Sequence, residues 1–319
     1  MSDMISIEDV REAERRLEGV VNRTPVFTSR TLNERVGREI YIKPESFQRT
    51  GAFKFRGAYN AISQLDRNST KGVVAYSSGN HAQGVALSAR LLGIPAVILM
   101  HSDAPQNKLA ATKGYGAEVI MVDRTSQDGD RMQYEVAEER GMTVVHAYDD
   151  PNIMAGQGTA ALELLEDVPD LDSLVMPVGG GGLIGGCTIA AKGLKPDIRI
   201  FGVETHGADD THQSLRAGER VEIPPPTTIA DGIRLTTPGR LTFPVVQKYA
   251  EDVVLVSDEE VLDALRFVLT RMKLVIEPTG AVPIAALLQN RIPGDCEKVG
   301  IIISGGNLDP ALMASLFAE

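Results

Sequence analysis

The chain has 319 residues, of which 43% are hydrophobic and 24% are charged, the composition of an ordinary globular protein. A chain of this length buries roughly three quarters of its unfolded surface and needs no disulfide framework, and its two cysteines are too far apart for a Cys-x-x-Cys zinc site. The formal net charge of −11 opposes binding to nucleic acid or anionic lipid, because the summed field repels phosphates.

Short apolar, β-branched runs alternate with helical segments along the chain, which is typical of an α/β fold with parallel strands. Strands are predicted at 72–76, 95–100, 117–122, 143–146, 173–178, 198–204 and 299–304. Helices are predicted at 81–92, 105–113 and 128–140, and three more begin at Leu183, Asp258 and Asp309. The strands form two blocks, of which the second begins near Pro151.

A glycine-rich turn lies between the predicted strand 173–178 and the helix that begins at Leu183. It consists of four consecutive glycines, Gly179, Gly180, Gly181 and Gly182. Backbone N–H groups and the positive end of a helix converge at such a turn, and this favours a bound phosphate. We call residues 179–182 the glycine loop.

A second interpretation of the same turn remains open at this point. Gly180, Gly182 and Gly185 fit the Gly-x-Gly-x-x-Gly pattern of dinucleotide folds, although this pattern alone is weak evidence. Glu204 lies where such folds place the acid that binds the ribose. A NAD-dependent oxidoreductase is therefore an alternative.

Lys54 lies between Phe53 and Phe55, directly after a segment of turn residues. An amine is nucleophilic only when it is uncharged, and apolar neighbours favour the uncharged form through desolvation. Lys54 is therefore the candidate nucleophile.

Four motifs follow one another along the chain: Lys-Phe-Arg-Gly at 54–57, Ser-Ser-Gly-Asn-His at 77–81, the glycine loop, and Ser-Gly-Gly-Asn at 304–307. Together they resemble the serine/threonine dehydratase and serine racemase family of pyridoxal-phosphate enzymes, which has the tryptophan-synthase-β fold (fold type II). The resemblance spans residues 23–309. It implies two α/β domains with parallel-type sheets flanked by helices. A small mobile domain (72–149) is inserted in a large domain (1–71 and 150–319) that binds the cofactor.

The resemblance also implies how the cofactor is held. In this family the lysine that matches Lys54 carries pyridoxal 5'-phosphate as a Schiff base and later acts as a base, with Phe53 beside it. The phosphate is implied to rest on the glycine loop and the N–H of Leu183, and Asn80 to bond the ring hydroxyl. Ser304 matches the residue that faces the pyridine nitrogen, and a neutral hydroxyl there favours elimination over reactions that need a long-lived carbanion.

The turn at 77–81 is implied to receive the substrate carboxylate, although a simple helix cap is an alternative for its polar residues. The implied substrate-binding residues are Ser77, Ser78, Asn80 and His81. Ser78 is informative, because racemases of this branch have serine before Gly-Asn-His where the common threonine dehydratases have alanine. A hydroxyl on the face opposite Lys54 makes Ser78 a second catalytic candidate.

The implied activity is that of an ammonia-lyase (dehydratase), which converts L-threonine or L-serine to a 2-oxo acid and ammonia by β-elimination. Serine racemase, also as a second activity, and 3-hydroxyaspartate dehydratase are the alternatives. The segment 147–151, Ala-Tyr-Asp-Asp-Pro, favours the dehydratase, because it is closer to the aromatic-Asp form of dehydratases than to the segment of mammalian-type racemases.

The loop with Glu204, Ala208 and Asp210 resembles the metal loop of metal-activated family members. Two carboxylates and a backbone carbonyl are hard oxygen ligands, which suit Mg²⁺, or Ca²⁺ or Mn²⁺. The resemblance thus assigns Glu204 to a metal and not to a ribose.

The expected partners are a small hydroxy amino acid and a second copy of the chain, with neither nucleic acid nor membrane. Lys273 matches a lysine that contacts a nucleotide effector in some racemases. No stretch has the apolar length of a signal peptide or a membrane span, so we expect a cytoplasmic protein.

Overall fold

A computed structural model describes residues 4–123 and 125–318. Over these residues the chain forms ten strands: β1 (Phe27–Thr28), β2 (Glu39–Pro44), β3 (Val73–Tyr76), β4 (Ala96–His101), β5 (Glu118–Val122), β6 (Thr143–Val144), β7 (Ser173–Pro177), β8 (Arg199–Thr205), β9 (Asp252–Val256) and β10 (Lys298–Ile303). It also forms thirteen α-helices: α1 (Ile7–Leu17), α2 (Arg30–Val36), α3 (Lys54–Ser63), α4 (Asn80–Leu92), α5 (Gln106–Gly114), α6 (Gly129–Arg140), α7 (Pro151–Asp167), α8 (Gly182–Leu194), α9 (Asp210–Ala217), α10 (Phe243–Tyr249), α11 (Asp258–Phe267), α12 (Pro278–Leu288) and α13 (Pro310–Ser315).

The strands form two sheets. The larger sheet has six strands in the order β1-β2-β10-β7-β8-β9, and only β1 runs antiparallel to its neighbour. The smaller sheet has four parallel strands in the order β5-β4-β3-β6. Parallel neighbours need long crossover connections, and helices provide most of them.

The six-stranded sheet is covered on both faces, as parallel sheets usually are. Successive residues of β7 show this, because Leu174 and Met176 join the core cluster with α7 and α8, while Val175 joins the cluster with α11 and α12.

Helices α7 and α8 approach closely at two glycines. A Cβ on Gly186 would lie 1.9 Å from the carbonyl of Met154, so this contact requires glycine.

The structure contains all seven predicted strands, with most ends within about two residues, as sequence patterns allow. It also confirms the start of α11, where Ser257 and Glu260 form a capping box. Strands β1, β2 and β9 were not predicted, and neither were helices α1, α2, α3, α7, α9, α10 and α12. In β2 the sequence Glu-Ile-Tyr-Ile-Lys-Pro interrupts the apolar run with charges, and only the fold shows that Lys43 is fully buried.

The four strands of the smaller sheet all lie between residues 73 and 144. The domain boundaries at 72 and 149, and the mobility of the smaller domain, stay predictions. Among the helices of the described residues, none combines the length and the apolar character that crossing a bilayer requires.

Candidate active site

Three of the predicted site segments lie at the carboxyl ends of neighbouring strands, where open α/β sheets bind their ligands. The glycine loop follows β7, Ser304 follows β10, and Glu204 lies near the end of β8. These three strands are adjacent in the six-stranded sheet. The turn at 77–81 follows β3 of the smaller sheet and leads into α4.

Lys54 is the first residue of α3, and a 3.0 Å hydrogen bond from the N–H of Phe53 to the carbonyl of Ser304 joins the start of this helix to the end of β10. The Lys54 side chain is half-buried, and its Nζ donates to the carbonyl of Ala147 at 2.7 Å. Burial lowers the pKa of Lys54 to about 8, although the charge of Glu277 opposes the shift. An appreciable fraction of the amine is therefore uncharged near neutral pH, as a nucleophile or base requires.

The glycine loop is packed too closely to admit side chains. A Cβ on Gly180 would lie 2.3 Å from the ring of Tyr148. A Cβ on Gly181, whose φ is 88°, would lie 2.6 Å from Oγ1 of Thr242. No side chain caps the N-terminus of α8, whose second residue is the buried Leu183. The first N–H groups of this helix are therefore available to an anion such as a phosphate.

Ser304 is buried, and its hydroxyl has no hydrogen-bond partner among the residues that the structure describes. A buried hydroxyl without a partner is costly, so the atom suits a ligand that supplies one. Pyridoxal phosphate has a group for each of these features. Its ring nitrogen matches the unpartnered hydroxyl of Ser304, its phosphate matches the glycine loop, and its aldehyde matches the amine of Lys54. The site therefore fits the cofactor that the sequence implies.

Asn80 lies at the start of α4, and its side-chain amide is held on both sides by the chain. Its Nδ2 donates to Oε1 of Glu277 at 2.6 Å, and its Oδ1 accepts from Nδ2 of Asn307 at 2.8 Å. The Asn307 amide also donates to the carbonyl of Thr50 at 2.8 Å. This network orients Asn80 before any ligand binds, and the ring-hydroxyl contact implied for it stays a prediction.

The other polar residues of the 77–81 turn have different surroundings. Ser77 Oγ accepts from the N–H of Gly79 at 3.2 Å, and Ser78 Oγ accepts from the N–H of His101 at 2.7 Å, which leaves the Ser78 hydroxyl hydrogen for donation. His81 is buried, and its Nε2 donates to the carbonyl of Val145 at 2.9 Å.

Burial, and then the charge of Lys54, lower the pKa of His81 to about 3. His81 is therefore neutral at physiological pH and supports the turn.

Glu277 is a site residue that the sequence analysis did not single out. It is buried directly before α12, with Oε1 bonded to Asn80 and Oε2 without a partner. Burial, and then the charge of Asp231, raise the pKa of Glu277 to about 7. Its only sequence signal is an acid immediately before Pro278.

An ion pair between Lys108 and Asp231 lies close to Glu277 and was also missed. Lys108 belongs to α5 beside the smaller sheet, whereas Asp231 begins a 3₁₀ turn, Asp231–Ile233. A Cβ on Gly179 would lie 3.1 Å from the carbonyl of Gly232 in this turn, so the ion pair links α5 to the neighbourhood of the glycine loop. No local sequence pattern joins two residues so far apart.

The predicted metal loop brings two buried carboxylates together. Glu204 accepts from the N–H groups of Thr211 (3.1 Å) and His212 (2.8 Å), whereas neither carboxylate oxygen of Asp210 has a partner within 4–123 and 125–318. Burial, and then the charge of Asp210, raise the pKa of Glu204 well above its ordinary value. A divalent cation would neutralise both carboxylates, so the residues fit one.

The chain between these carboxylates turns sharply at Ala208, whose N–H donates to the carbonyl of Thr205 at 2.9 Å. Within 4–123 and 125–318, no group of three or more His, Cys, Asp and Glu side chains is arranged to hold a metal ion. The predicted set has only two carboxylates, and its third ligand is the backbone carbonyl of Ala208.

Comparisons with known proteins agree with the cofactor that these residues fit. The family model described as pyridoxal-phosphate dependent enzyme matches residues 17–305. The L-threo-3-hydroxyaspartate ammonia-lyase of a Pseudomonas species is 49% identical over 312 residues, which cover 98% of each chain. The L-threonine ammonia-lyase of Thermotoga maritima is 47% identical, and the match covers 96% of this chain and 76% of that protein. The solved structure of maize serine racemase is similar with a TM-score of 0.95 and 41% identity, covering 98% of this chain and 97% of that one.

These similarities confirm the predicted fold class, α/β with parallel sheets flanked by helices. They also favour pyridoxal phosphate over the nicotinamide alternative, which explained only the glycine loop.

Proposed function

The chain belongs to the family of pyridoxal-phosphate dependent enzymes, and we propose that it is an ammonia-lyase that converts L-threonine or L-serine to a 2-oxo acid and ammonia by β-elimination. The observation that carries the proposal is the half-buried amine of Lys54, whose pKa is lowered to about 8. The relative from Thermotoga maritima, named L-threonine ammonia-lyase, supports it over 96% of the chain.

This chain has a residue for each contact that the cofactor needs. Lys54 would hold it covalently, the N–H groups of the glycine loop and Leu183 would bind its phosphate, and Ser304 would face its ring nitrogen. Asn80 would meet its ring hydroxyl, and Phe53 would pack beside it. When bound, pyridoxal phosphate supplies an electron sink that stabilises negative charge on the substrate's α-carbon.

In this proposal Lys54 does the proton chemistry. Its Nζ, once released, takes the α-proton of the substrate, and a positioned base of this kind is worth roughly a hundred- to ten-thousand-fold in rate. The substrate carboxylate is received at the N-terminus of α4 by Ser77 and the N–H groups of the turn. Loss of the β-hydroxyl as water, and hydrolysis of the C–N bond that remains, then give the 2-oxo acid and ammonia.

Two further activities have specific support. Serine racemisation needs a proton donor on the face opposite Lys54, and Ser78 has a hydroxyl hydrogen that its bond to His101 does not use. The similarity to maize serine racemase supports this second activity. Action on 3-hydroxyaspartate is supported by the 49% identity to the Pseudomonas lyase.

We also propose a divalent cation, Mg²⁺ or else Ca²⁺ or Mn²⁺, held by Glu204, Asp210 and the carbonyl of Ala208. The unpartnered oxygens of Asp210 support this proposal, because a buried carboxylate needs a cation or hydrogen-bond donors. The homodimer and the nucleotide effector stay predictions, and Lys273, implied for the effector, lies exposed after a π-helical turn, Val268–Met272.

The test is a substrate panel on the purified protein supplied with pyridoxal phosphate. L-threonine, L-serine and L-threo-3-hydroxyaspartate are compared by release of ammonia and 2-oxo acid, and L-serine also by chiral analysis. We expect the fastest release from L-threonine or L-serine. Release only from 3-hydroxyaspartate would replace the proposed substrate, and no release from any of the three would indicate a catalytically silent binding protein.

Two variants assign the residues. Lys54→Ala is expected to lose the absorbance of covalently bound cofactor and all turnover, and full activity would remove Lys54 from the mechanism. Ser78→Ala is expected to lose D-serine formation while elimination persists, and equal D-serine in both proteins would contradict the second-base role.

A further inference from the structure

The segment 146–149, which we call the 146–149 turn, lies between β6 and α7 and contacts the candidate site through two of its residues. The carbonyl of Ala147 accepts from Nζ of Lys54 at 2.7 Å. The ring of Tyr148 fills the space beside Gly180, where a Cβ would lie 2.3 Å from it. One short turn therefore contacts both the cofactor lysine and the glycine loop.

The far end of the turn is tied to the segment that precedes α10. The carboxylate of Asp149 accepts from the N–H groups of Arg240 (2.9 Å) and Leu241 (2.7 Å). These contacts fix the end of the turn, but they leave the orientation of its central peptide to contacts within the turn.

His146 supplies that internal contact. Its Nδ1 accepts from the N–H of Asp149 at 2.9 Å and, more weakly, from the N–H of Tyr148 at 3.3 Å. Its ring also packs edge-on against the Tyr148 ring, with centroids 4.7 Å apart. Because both backbone partners can only donate, Nδ1 must carry its lone pair, and any proton of the ring sits on Nε2.

We propose that His146 is a positioning residue for Lys54. By accepting both N–H groups, its Nδ1 holds the turn so that the Ala147 carbonyl faces Lys54. This carbonyl then stabilises the ammonium form of Lys54 whenever the amine is not bound to the cofactor. The inference rests on the cofactor role proposed for Lys54. A backbone carbonyl carries no charge, so it can hold the released amine without competing for a proton.

The electrostatic surroundings agree with this arrangement. Burial lowers the pKa of His146, opposed by the nearby Asp130, Asp149 and Asp150, so the ring is neutral where the turn needs an acceptor. The charges around Lys54 come from Glu277, which favours the ammonium, and from the histidines His81 and His146 when they are protonated. A hydrogen bond to the ammonium favours the charged form, so loss of the Ala147 contact lowers the pKa of Lys54 further.

The experiment compares two substitutions that differ in where they place an acceptor. His146→Asn keeps an oxygen one bond from Cγ, where Nδ1 was, whereas His146→Gln moves it one bond further along the side chain. His146→Ala removes the acceptor and serves as a second test should the Gln variant not fold. Full-length protein is stripped of cofactor, pyridoxal phosphate is added back over a range of pH, and the cofactor that borohydride fixes to the chain is measured against time.

Only the uncharged amine reacts, so the pH midpoint of the uptake rate reports the pKa of Lys54, and the cofactor's own titration is common to all variants. We expect midpoints for wild type and the Asn variant that agree near pH 8. We expect midpoints about one pH unit lower for the Gln and Ala variants, the effect of losing a hydrogen bond to a charged group. An unchanged or raised midpoint in the Gln and Ala variants, or an Asn variant that behaves like Gln, overturns the proposal.

Lys54→Ala separates the cofactor role of Lys54 from the positioning role of His146. If it still fixes cofactor as the wild type does, the role of Lys54 fails whatever His146 does. If it fixes none while His146→Gln keeps the wild-type midpoint, only the positioning role fails.

Discussion

The buried ionic cluster around Arg56 of α3 and the candidate active site at the start of α3 both remove charges from water. Only in the cluster does the chain itself supply a partner for every charged group. In the cluster, Arg56 bonds Glu45 (2.7 Å) and Glu163 (2.6 Å), and Lys43 bonds Glu163 (2.6 Å). Thr24 donates to Glu45 as well, at 2.7 Å. None of these side chains has a buried nitrogen or oxygen without a partner.

The site differs in this respect. The hydroxyl of Ser304, one oxygen of Glu277 and both carboxylate oxygens of Asp210 are buried without partners. Each such atom costs about 1 to 3 kcal/mol, which selection tolerates at a site where a ligand completes the bonding. The comparison teaches that charge burial alone does not mark a candidate site, whereas a buried carboxylate with an unpartnered oxygen, as in Asp210 and Glu277, does.

Removing one member of the completed cluster gives the largest expected effect. Arg56→Met leaves two buried carboxylates with Lys43 alone, so the free energy of unfolding is expected to fall by about 3 to 5 kcal/mol. Urea unfolding measures the change. Arg30→Met is the matched control, because that arginine is 91% exposed and forms an exposed ion pair with Glu34, and it is expected to cause no measurable change. Equal stability of both variants would contradict the view that the cluster is a structural unit.

Magnesium binding at the metal loop is expected to give the next largest change in the free energy of unfolding. Saturation at about a hundredfold over the dissociation constant adds about 2.7 kcal/mol to the free energy of unfolding, which chelation removes. Asp210→Asn is expected to lose this gain, while Asp209→Asn keeps it, since the Asp209 carboxylate already bonds Gln213 (2.9 Å). Thermal unfolding with and without magnesium tests this, and a wild type indifferent to chelation would exclude the metal.

Lys54→Met is expected to stabilise the cofactor-free protein, although it abolishes turnover. The pKa of Lys54 falls from its ordinary 10.5 to about 8, so between these values the folded state binds fewer protons than the unfolded state. The wild type therefore gains stability as the pH rises from about 8 to 10.5, and below pH 8 it carries the full cost of a buried ammonium. The variant is expected to be more stable by about 1 to 2 kcal/mol at pH 7 and equal to the wild type near pH 10.5. Urea unfolding at both pH values decides this, and no gain at pH 7 would mean that the ammonium is well solvated.

Ser304→Ala gives the smallest expected effect. Removing an unpartnered hydroxyl is expected to raise the stability of the cofactor-free protein by about 1 kcal/mol and to weaken cofactor binding. Ser173→Ala is the matched control, because this equally buried serine donates to Asp172 (2.8 Å), and it is expected to lose stability. The same sign of change in both variants would contradict the distinction between the two regions.

Much of the site was predictable because its key residues are local. The glycine loop and Lys54 each lie in a short motif whose composition predicts a chemistry, and the strand that precedes the glycine loop is an apolar run. Asn80 was predictable as a site residue, but its bond to Glu277, 197 residues away, was not. The segment 147–151 carried a signal for the activity but none for the contact with Lys54, since the acceptor is a backbone carbonyl and every residue has one.

By itself the sequence determined the alternation of strands and helices, and it predicted a phosphate-binding loop and a reactive amine, because these depend on neighbours within a few positions. Tertiary structure alone decided that Arg56 and Lys43 meet Glu163, that Glu277 faces Asn80 and that the Ala147 carbonyl holds Lys54. Such pairs form only when parallel crossovers return distant segments to the same edge of a sheet, and pairing energies depend on that final geometry and burial.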